Sequence, residues 1–364
     1  MSASADVLVS TLQQLLPGYQ ETFTKAHPIL NEVASGKGVE TLSSHMREWI
    51  LVSSDPGQWT TVTSGAEPLN GGRLQDSRRA VAFPYLAIYT VDIPLQDLRL
   101  AKGEMDFGKL IESYPERSLL GMQEGIASQI AMGLNSNLPG LFTLNGQQNY
   151  TPMNSTNQGI FEFAAPASQT GTIYGHARNS FPGWYNQYRH VSAMGTNGLK
   201  QIRGLHKDCM DEGQTRAIGG PKCWLADGVS FENFLDEVGN VVVVNDKQGS
   251  DPQSGQNARE SIPLGLGGAR LFNEPAIRLT DFTAGTAPAD GVMYAVDTEA
   301  MDLFRTETGK AEYDGKGTTN KLITMRNTGV LQDRDAYRLQ FLFSLGCSHK
   351  QLRSSGVVTG TAVA

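Results

Sequence analysis

The stretch SSDPGQWTTVTSGAEPLNGGRLQDSRRA, residues 53–80, decides the reading of this chain. It is polar, offers almost nothing to bury, and is followed at once by a strand pattern and a long amphipathic segment. A loop of this length inside a compact domain is usually functional or unstructured. Here Trp59 to Thr63 is a β-prone run and Asn70-Gly71 is a strong hairpin-turn signal. The stretch therefore reads as a two-stranded arm held away from the core. At roughly 3.3 Å per residue, an arm of about a dozen residues reaches on the order of 40 Å, far enough to lie on a neighbouring molecule. An isolated hairpin is only marginally stable in water, so the arm needs a partner surface, and the simplest partner is another copy of the same chain.

On either side of the arm the pattern is definite. Val7, Leu8, Leu12, Leu15, Leu16 and Tyr19 mark a short amphipathic N-terminal helix, interrupted by Pro17 and Gly18. A second apolar-spaced stretch follows HPIL at 27–30 and ends in REWILV at 47–52. Beyond the arm, Phe83, Tyr85, Ala87, Tyr89, Val91 and Ile93 alternate with less apolar positions and predict a half-buried strand. A helical region over 104–134 follows, kinked or restarted at Pro115, then a Gly, Asn, Pro and Ser-rich connector over 135–182.

The second half has an α/β pattern. Thr196 or Asn197 is expected to cap a helix carrying Leu199, Ile202, His206, Cys209 and Met210, with Gly213 ending it. Cys223 to Ala226 reads as a strand, Ser230 as the cap of a helix with Phe231, Phe234, Leu235 and Val238, and residues 241–244, 277–279 and 292–296 as buried strands. Residues 245–269 read as a polar, Gly-rich insertion. Tyr337, Leu339, Phe341, Phe343 and Leu345 alternate cleanly in a last strand that returns to the first half.

Composition narrows the function. A formal charge of -7 argues against a dedicated nucleic-acid binder, because neutralising phosphates requires an excess of Lys and Arg. No window reaches the roughly 18 apolar residues of a membrane span, and residues 1–20 lack a secretory pattern. Three cysteines, Cys209, Cys223 and Cys347, are too few for a disulfide framework and suit a reducing cytoplasm.

Chemical motifs are weak. His206, Cys209 and Cys223 give an H-x2-C-x13-C spacing without a fourth ligand, whereas structural zinc is almost always four-coordinate, so Cys209 reads as an apolar-face residue. GLGGAR at 265–270 lacks dinucleotide-binding spacing and reads as a turn. Asp333 and Asp335 flank Arg334 as a solvated charge cluster. Nothing in the spacing of Ser, His and Asp supports a catalytic triad. No catalytic residue, cofactor site or metal site is assigned, and an enzyme is not expected.

The order of N-terminal helix, arm, strand, long helix, connector with GWYNQYRH at 183–190, helix GLKQIRGLHKDC at 198–209 and closing FSLGCSHKQLRSSGVVTG at 343–360 resembles the major capsid proteins of tailed bacteriophages. The resemblance runs from about residue 7 to 360 and implies an α+β chain of the Hong Kong 97-type fold. Carried onto this sequence, it implies an N-terminal arm over 1–52, an E-loop over 53–80 and a P domain with a long spine helix over 81–214. An A domain would span 215–330, and 331–364 would hold the return strand and C-terminus.

The family assembles pentamers and hexamers into the icosahedral head around packaged double-stranded DNA. The resemblance therefore implies a virion protein, assembled in the bacterial cytoplasm. Its expected partners are copies of itself, a portal, a separate scaffolding or decoration protein, and DNA touched non-specifically, with no membrane. An encapsulin-type compartment shell is the alternative, and a Gly-rich hydrolase a distant third. One departure stands out. The best-known lineage cross-links a Lys of the E-loop to a neighbour, but here no Lys lies between Lys37 and Lys102.

Overall fold

The alternation that closes the arm and the alternation near the C-terminus form one ladder, although some 250 residues separate them in sequence. The computed structural model describes Pro28, residues 39–42, 46–52, 77–82, 85–94, 160–181, 183–212, 220–239, most of 261–279, 287–306, 323–330 and 336–363. The N-terminal helix, residues 53–76 of the arm, the helix over 104–134, the strand at 241–244 and the Asp333 to Asp335 cluster lie outside these residues.

In chain order the first strands are β1 (Val39–Leu42), β2 (Arg47–Val52), β3 (Ser77–Ala82) and β4 (Tyr85–Pro94). The connector contributes the short strands β5 (Thr172–Ile173) and β6 (His176–Ala177), then β7 (Gln187–His190). Next come α1 (Leu199–Glu212), β8 (Cys223–Ala226) and α2 (Gly228–Gly239). The chain continues through β9 (Ser261–Pro263), β10 (Arg270–Asn273), β11 (Val292–Val296) and β12 (Met301–Thr306). It closes with β13 (Ile323–Val330), β14 (Ala336–His349) and β15 (Gly356–Thr359).

Two sheets organise the molecule. In the first, the long β14 is antiparallel to β4 from Ala336 opposite Pro94 to Leu345 opposite Tyr85, which is the predicted return to the first half. It is also antiparallel to β13, and its last residues pair with β12, to which β1 adds in parallel. Gly346 permits this approach, because a Cβ there would overlap the Phe304 ring on β12.

The second sheet has the order β7-β15-β11-β8-β10-β9 and mixes parallel and antiparallel pairs. Its inner strands β15, β11 and β8 are buried on both faces, so they read as largely apolar runs rather than alternations. Trp224, Ala226, Met293, Ala295 and Val358 face the helices, packed with Ile202, Leu205 and Cys209 of α1 and Phe231 and Phe234 of α2. On the opposite face Tyr294 meets Phe161, with ring centroids 5.2 Å apart.

Four sequence expectations are corrected in detail. Residues 277–279 form no strand; Ile277 N–H instead donates to Glu274 O at 3.0 Å, making a turn. Residues 261–263, inside the stretch read as a polar insertion, form a strand that pairs with 270–273, Gly268 at φ +87° turning the chain between the two. Neither Thr196 nor Asn197 caps α1, which grows out of a wide five-residue turn, Met194–Gly198. Asp227, and not Ser230, caps α2, its Oδ1 accepting from Val229 N–H and Ser230 N–H at 3.0 Å each. A carboxylate is the better cap here, since its other oxygen accepts from Val292 N–H at 2.9 Å and so ties the helix to β11. The strand pairing also crosses the boundaries expected at 215 and 330, since β7 and β15 belong to the second sheet and β12 and β13 to the first.

Candidate assembly site at the root of the arm

β2 and β3 are antiparallel, from Arg47 opposite Ala82 to Val52 opposite Ser77. The polar stretch therefore leaves and returns through a two-stranded stem that begins at REWILV. Hydrogen bonding alone does not hold such a pair in place. The stem is fixed instead by the connector. The β5–β6 hairpin turns at Tyr174 and Gly175, both at positive φ, +52° and +87°. A two-residue turn with two positive φ values matches the strand twist, but the first position ordinarily favours Asn, Asp or Gly. A tyrosine there costs about 1–3 kcal/mol of strain.

The strain places the Tyr174 ring where the root of the arm needs it. The ring lies edge-on to Trp49 of β2 at 4.9 Å and tilts against Trp184 at 6.3 Å. Its hydroxyl donates to Cys347 O on β14 at 3.0 Å, and burial pushes the phenol well above its ordinary pKa. Backbone and side-chain bonds complete the seat. Val81 N–H donates to Tyr174 O at 3.4 Å, and His176 Nε2 lies 2.8 Å from Arg79 O. At the other end of the stem, Arg47 donates to Asp302 at 2.9 Å and Glu40 at 2.6 Å, joining β2 to β12 and β1.

Arg78 and Arg79, whose positions on the arm suggest docking charges for a neighbour, are engaged within the subunit. Arg78 lies 5.5 Å over the Phe181 ring, and Arg79 pairs with Glu48 across the stem. Beside these exposed charges the stem also leaves one large apolar side chain open, Ile50, which is 69% exposed.

Behind the hairpin lies a buried polar hub that sequence reasoning missed. The Glu162 carboxylate accepts from Thr170 N–H and Gly171 N–H at 3.0 Å each and faces Arg178 Nε at 3.3 Å. Arg178 also donates to Ile160 O at 2.7 Å and Asn186 Oδ1 at 3.1 Å. Asn186 N–H donates to Gln169 Oε1 at 3.1 Å. Burial lowers the Arg178 pKa to about 10, with Glu162 and then Tyr174 opposing the fall. Desolvation thus outweighs the attraction of the pair. The hub ties together a segment whose apolar side chains, among them Phe161, Ile173 and Trp184, are buried around it.

The residues considered for chemistry do not form a reactive site. His206 stacks on Trp224, and Cys209 lies in the core on the same face of the sheet. Strand alternation turns Cys223 to the other face, so these three cannot share an ion. Ser355 and His349 do meet, with Oγ 2.8 Å from Nε2, and Ser355 Oγ accepts from Asp297 N–H at 2.9 Å. His349 Nδ1 accepts from Gln351 N–H at 3.3 Å, so the neutral ring carries its proton on Nε2 and donates to the serine. The imidazole has no lone pair for the Ser355 proton. Asp297 uses its carboxylate on the turn at Glu299 and Ala300.

Burial pushes the Cys209 and Cys347 thiols far up, and Cys223 is buried with them. Because the thiolate is the reactive form, all three thiols are expected to be silent to an aromatic disulfide reagent in the native protein and to react together on denaturation. Stoichiometric labelling of the native protein would contradict this packing.

Among the described residues no helix is long and apolar enough to cross a membrane. No family model and no curated protein matches the sequence. Solved structures do. The cyanophage A-1(L) capsid asymmetric unit superposes with a TM-score of 0.54 at 13% identity, covering 91% of this chain and 92% of that one. The holo-SrpI encapsulin complex from Synechococcus elongatus gives 0.49 at 11% identity over 88% and 83%. The capsid of a native GTA particle gives 0.49 at 8% over 90% and 90%. With one sheet built on β14, a second mixed sheet under two helices and a β2–β3 stem, matched over 91% of its length by the cyanophage subunit, the chain has the phage-capsid fold of Hong Kong 97 type.

Proposed function

We propose that this chain is a major capsid protein, assembling as pentamers and hexamers into the icosahedral head of a tailed double-stranded DNA phage. The observation that carries the reading is coverage: the likeness to the cyanophage capsid subunit extends over 91% of this chain and 92% of that one. The rooted stem supports it, because a hairpin arm with an exposed apolar stem residue has its stabilising surface elsewhere. On this reading residues 53–80 act as the E-loop, the spine helix falls within 81–214, and the partners are copies of the chain, a portal and DNA touched without sequence preference. Assembly, with a separate scaffolding or decoration protein or without one, takes place in the host cytoplasm. The protein does no chemistry, and the donor role of His349 toward Ser355 speaks against the hydrolase alternative.

Electron microscopy of the purified protein tests this, with closed shells expected and a strictly monomeric product overturning it. Shells containing DNA from infected cells, and not an enzyme cargo, separate a virion from an encapsulin-type compartment. Boiling those particles in detergent and reductant should release one band near 39.4 kDa. The stretch 38–101 contains no lysine amine to form an isopeptide bond, and arginine, protonated at any relevant pH, cannot replace it. A ladder of covalent oligomers would contradict this.

A further inference from the structure

The two helices that cover the second sheet carry outer faces of opposite character. On α1, Lys200, Arg203 and Lys207 are exposed at positions i, i+3 and i+7, so they form one basic stripe, which the exposed Asp211 ends at i+11. On α2, Val229, Glu232 and Asp236 repeat the same spacing and are exposed, with Leu235 beside them. Val229 is 48% and Leu235 40% exposed. They are two of the five large apolar side chains exposed among the described residues. A third, Val363, follows shortly after Thr361, whose carbonyl accepts from Asn233 of α2 at 3.2 Å. None of the three α1 cations and neither of the two α2 carboxylates takes part in the ion pairs found among the described residues.

We infer that the basic stripe of α1 on one copy docks on the acidic and apolar stripe of α2 on the next. Long cationic side chains suit that role twice over. Their methylene stems cover apolar surface while their heads reach the carboxylates, so Val229 and Leu235 are covered by the same residues that Glu232 and Asp236 attract. The two stripes are different surfaces, so the contact is heterologous, and repetition closes a ring when the rotation allows. This rests on the capsid reading for the ring it builds, and it adds which surfaces meet and in which direction. Charges placed this way set partner orientation and exclude wrong registers more than they add affinity.

Charge reversal with rescue tests it. The triple variant Lys200→Glu, Arg203→Glu and Lys207→Glu, and separately the double variant Glu232→Lys and Asp236→Lys, should each lower the assembled fraction by about tenfold or more, since like charges then face each other. Sedimentation velocity and electron microscopy read this out. Circular dichroism and the melting temperature of the subunit should stay at the wild-type values, because the substituted side chains are solvent-facing. Combining all five substitutions restores opposite signs across the contact and should recover assembly.

Normal assembly by either reversed variant, or a combined variant no better than its parents, would overturn the pairing. In both cases wild-type shells would still form and the capsid reading would stand. A wild-type protein that never associates would defeat that reading instead.

Discussion

Arg178→Met should lower the unfolding free energy by about 3–5 kcal/mol, the range for breaking a buried pair by removing one partner. The substitution leaves the Glu162 carboxylate buried without its cation and withdraws donors from Ile160 O, Gln169 and Asn186. Arg178→Lys should recover only part of the loss, because an ammonium cannot reproduce a planar fork that reaches several acceptors at once.

The pH dependence has a definite sign. Burial lowers the folded-state pKa of Arg178 below its ordinary value, to about 10, so at neutral pH its burial favours the unfolded state. That penalty is relieved only as the pH rises through about 10, where the unfolded chain holds the proton longer. Urea unfolding of the three proteins checks the ranking, and a methionine variant with the wild-type midpoint would show that the connector holds its shape without the hub.

The second large effect is expected at Tyr174. Tyr174→Asn puts a residue that favours positive φ at the turn, so the hairpin itself relaxes, yet the ring between Trp49 and Trp184 and the bond to Cys347 O are both lost. Losing a buried aromatic of this kind costs about 3–5 kcal/mol, which exceeds the strain released. The stem should come loose, with faster protease cleavage of the arm in the free subunit and failure to build shells. Tyr174→Phe keeps the ring and removes one hydrogen bond, for about 1 kcal/mol, and should still assemble. If the asparagine variant assembles like wild type, the aromatic seat is not what orients the arm.

Much of the architecture was legible because its signals are periodic. Tyr85 to Ile93 and Tyr337 to Leu345 alternate with period two, and the two runs pair along their whole length. α1 and α2 were visible from their apolar spacing, and VMYAV from its unbroken run. The short elements were not. RLFN at 270–273 is too brief to show a period, and only its parallel partner β8 makes it a strand. The root of the arm was hidden for a different reason. REWILV has an apolar spacing, but nothing in it says that Trp49 must meet Tyr174, some 125 residues away.

The hub was the hardest to see, because Glu162, Gln169, Arg178 and Asn186 lie in a Gly, Asn, Pro and Ser-rich segment where polarity ordinarily means solvent. Their burial follows from mutual satisfaction of donors and acceptors, which is a property of three-dimensional arrangement.

β14 has a bearing on the timing of the protein's birth. It is the central strand of one sheet, and after a short turn at Leu352–Ser354 the chain enters β15, an interior strand of the other. At about 5–20 residues per second, ribosomes finish both sheets' inner strands last, about a second or more after β13 and longer after every earlier described strand. Until residues 336–359 emerge, β4 and β12 lack their common neighbour, and β7 and β11 lack theirs. The nascent chain consequently has no finished root for its arm, since Cys347 supplies the carbonyl that Tyr174 grasps. Translation itself thus acts as a checkpoint, holding each subunit back from its siblings until these last strands have left the ribosome.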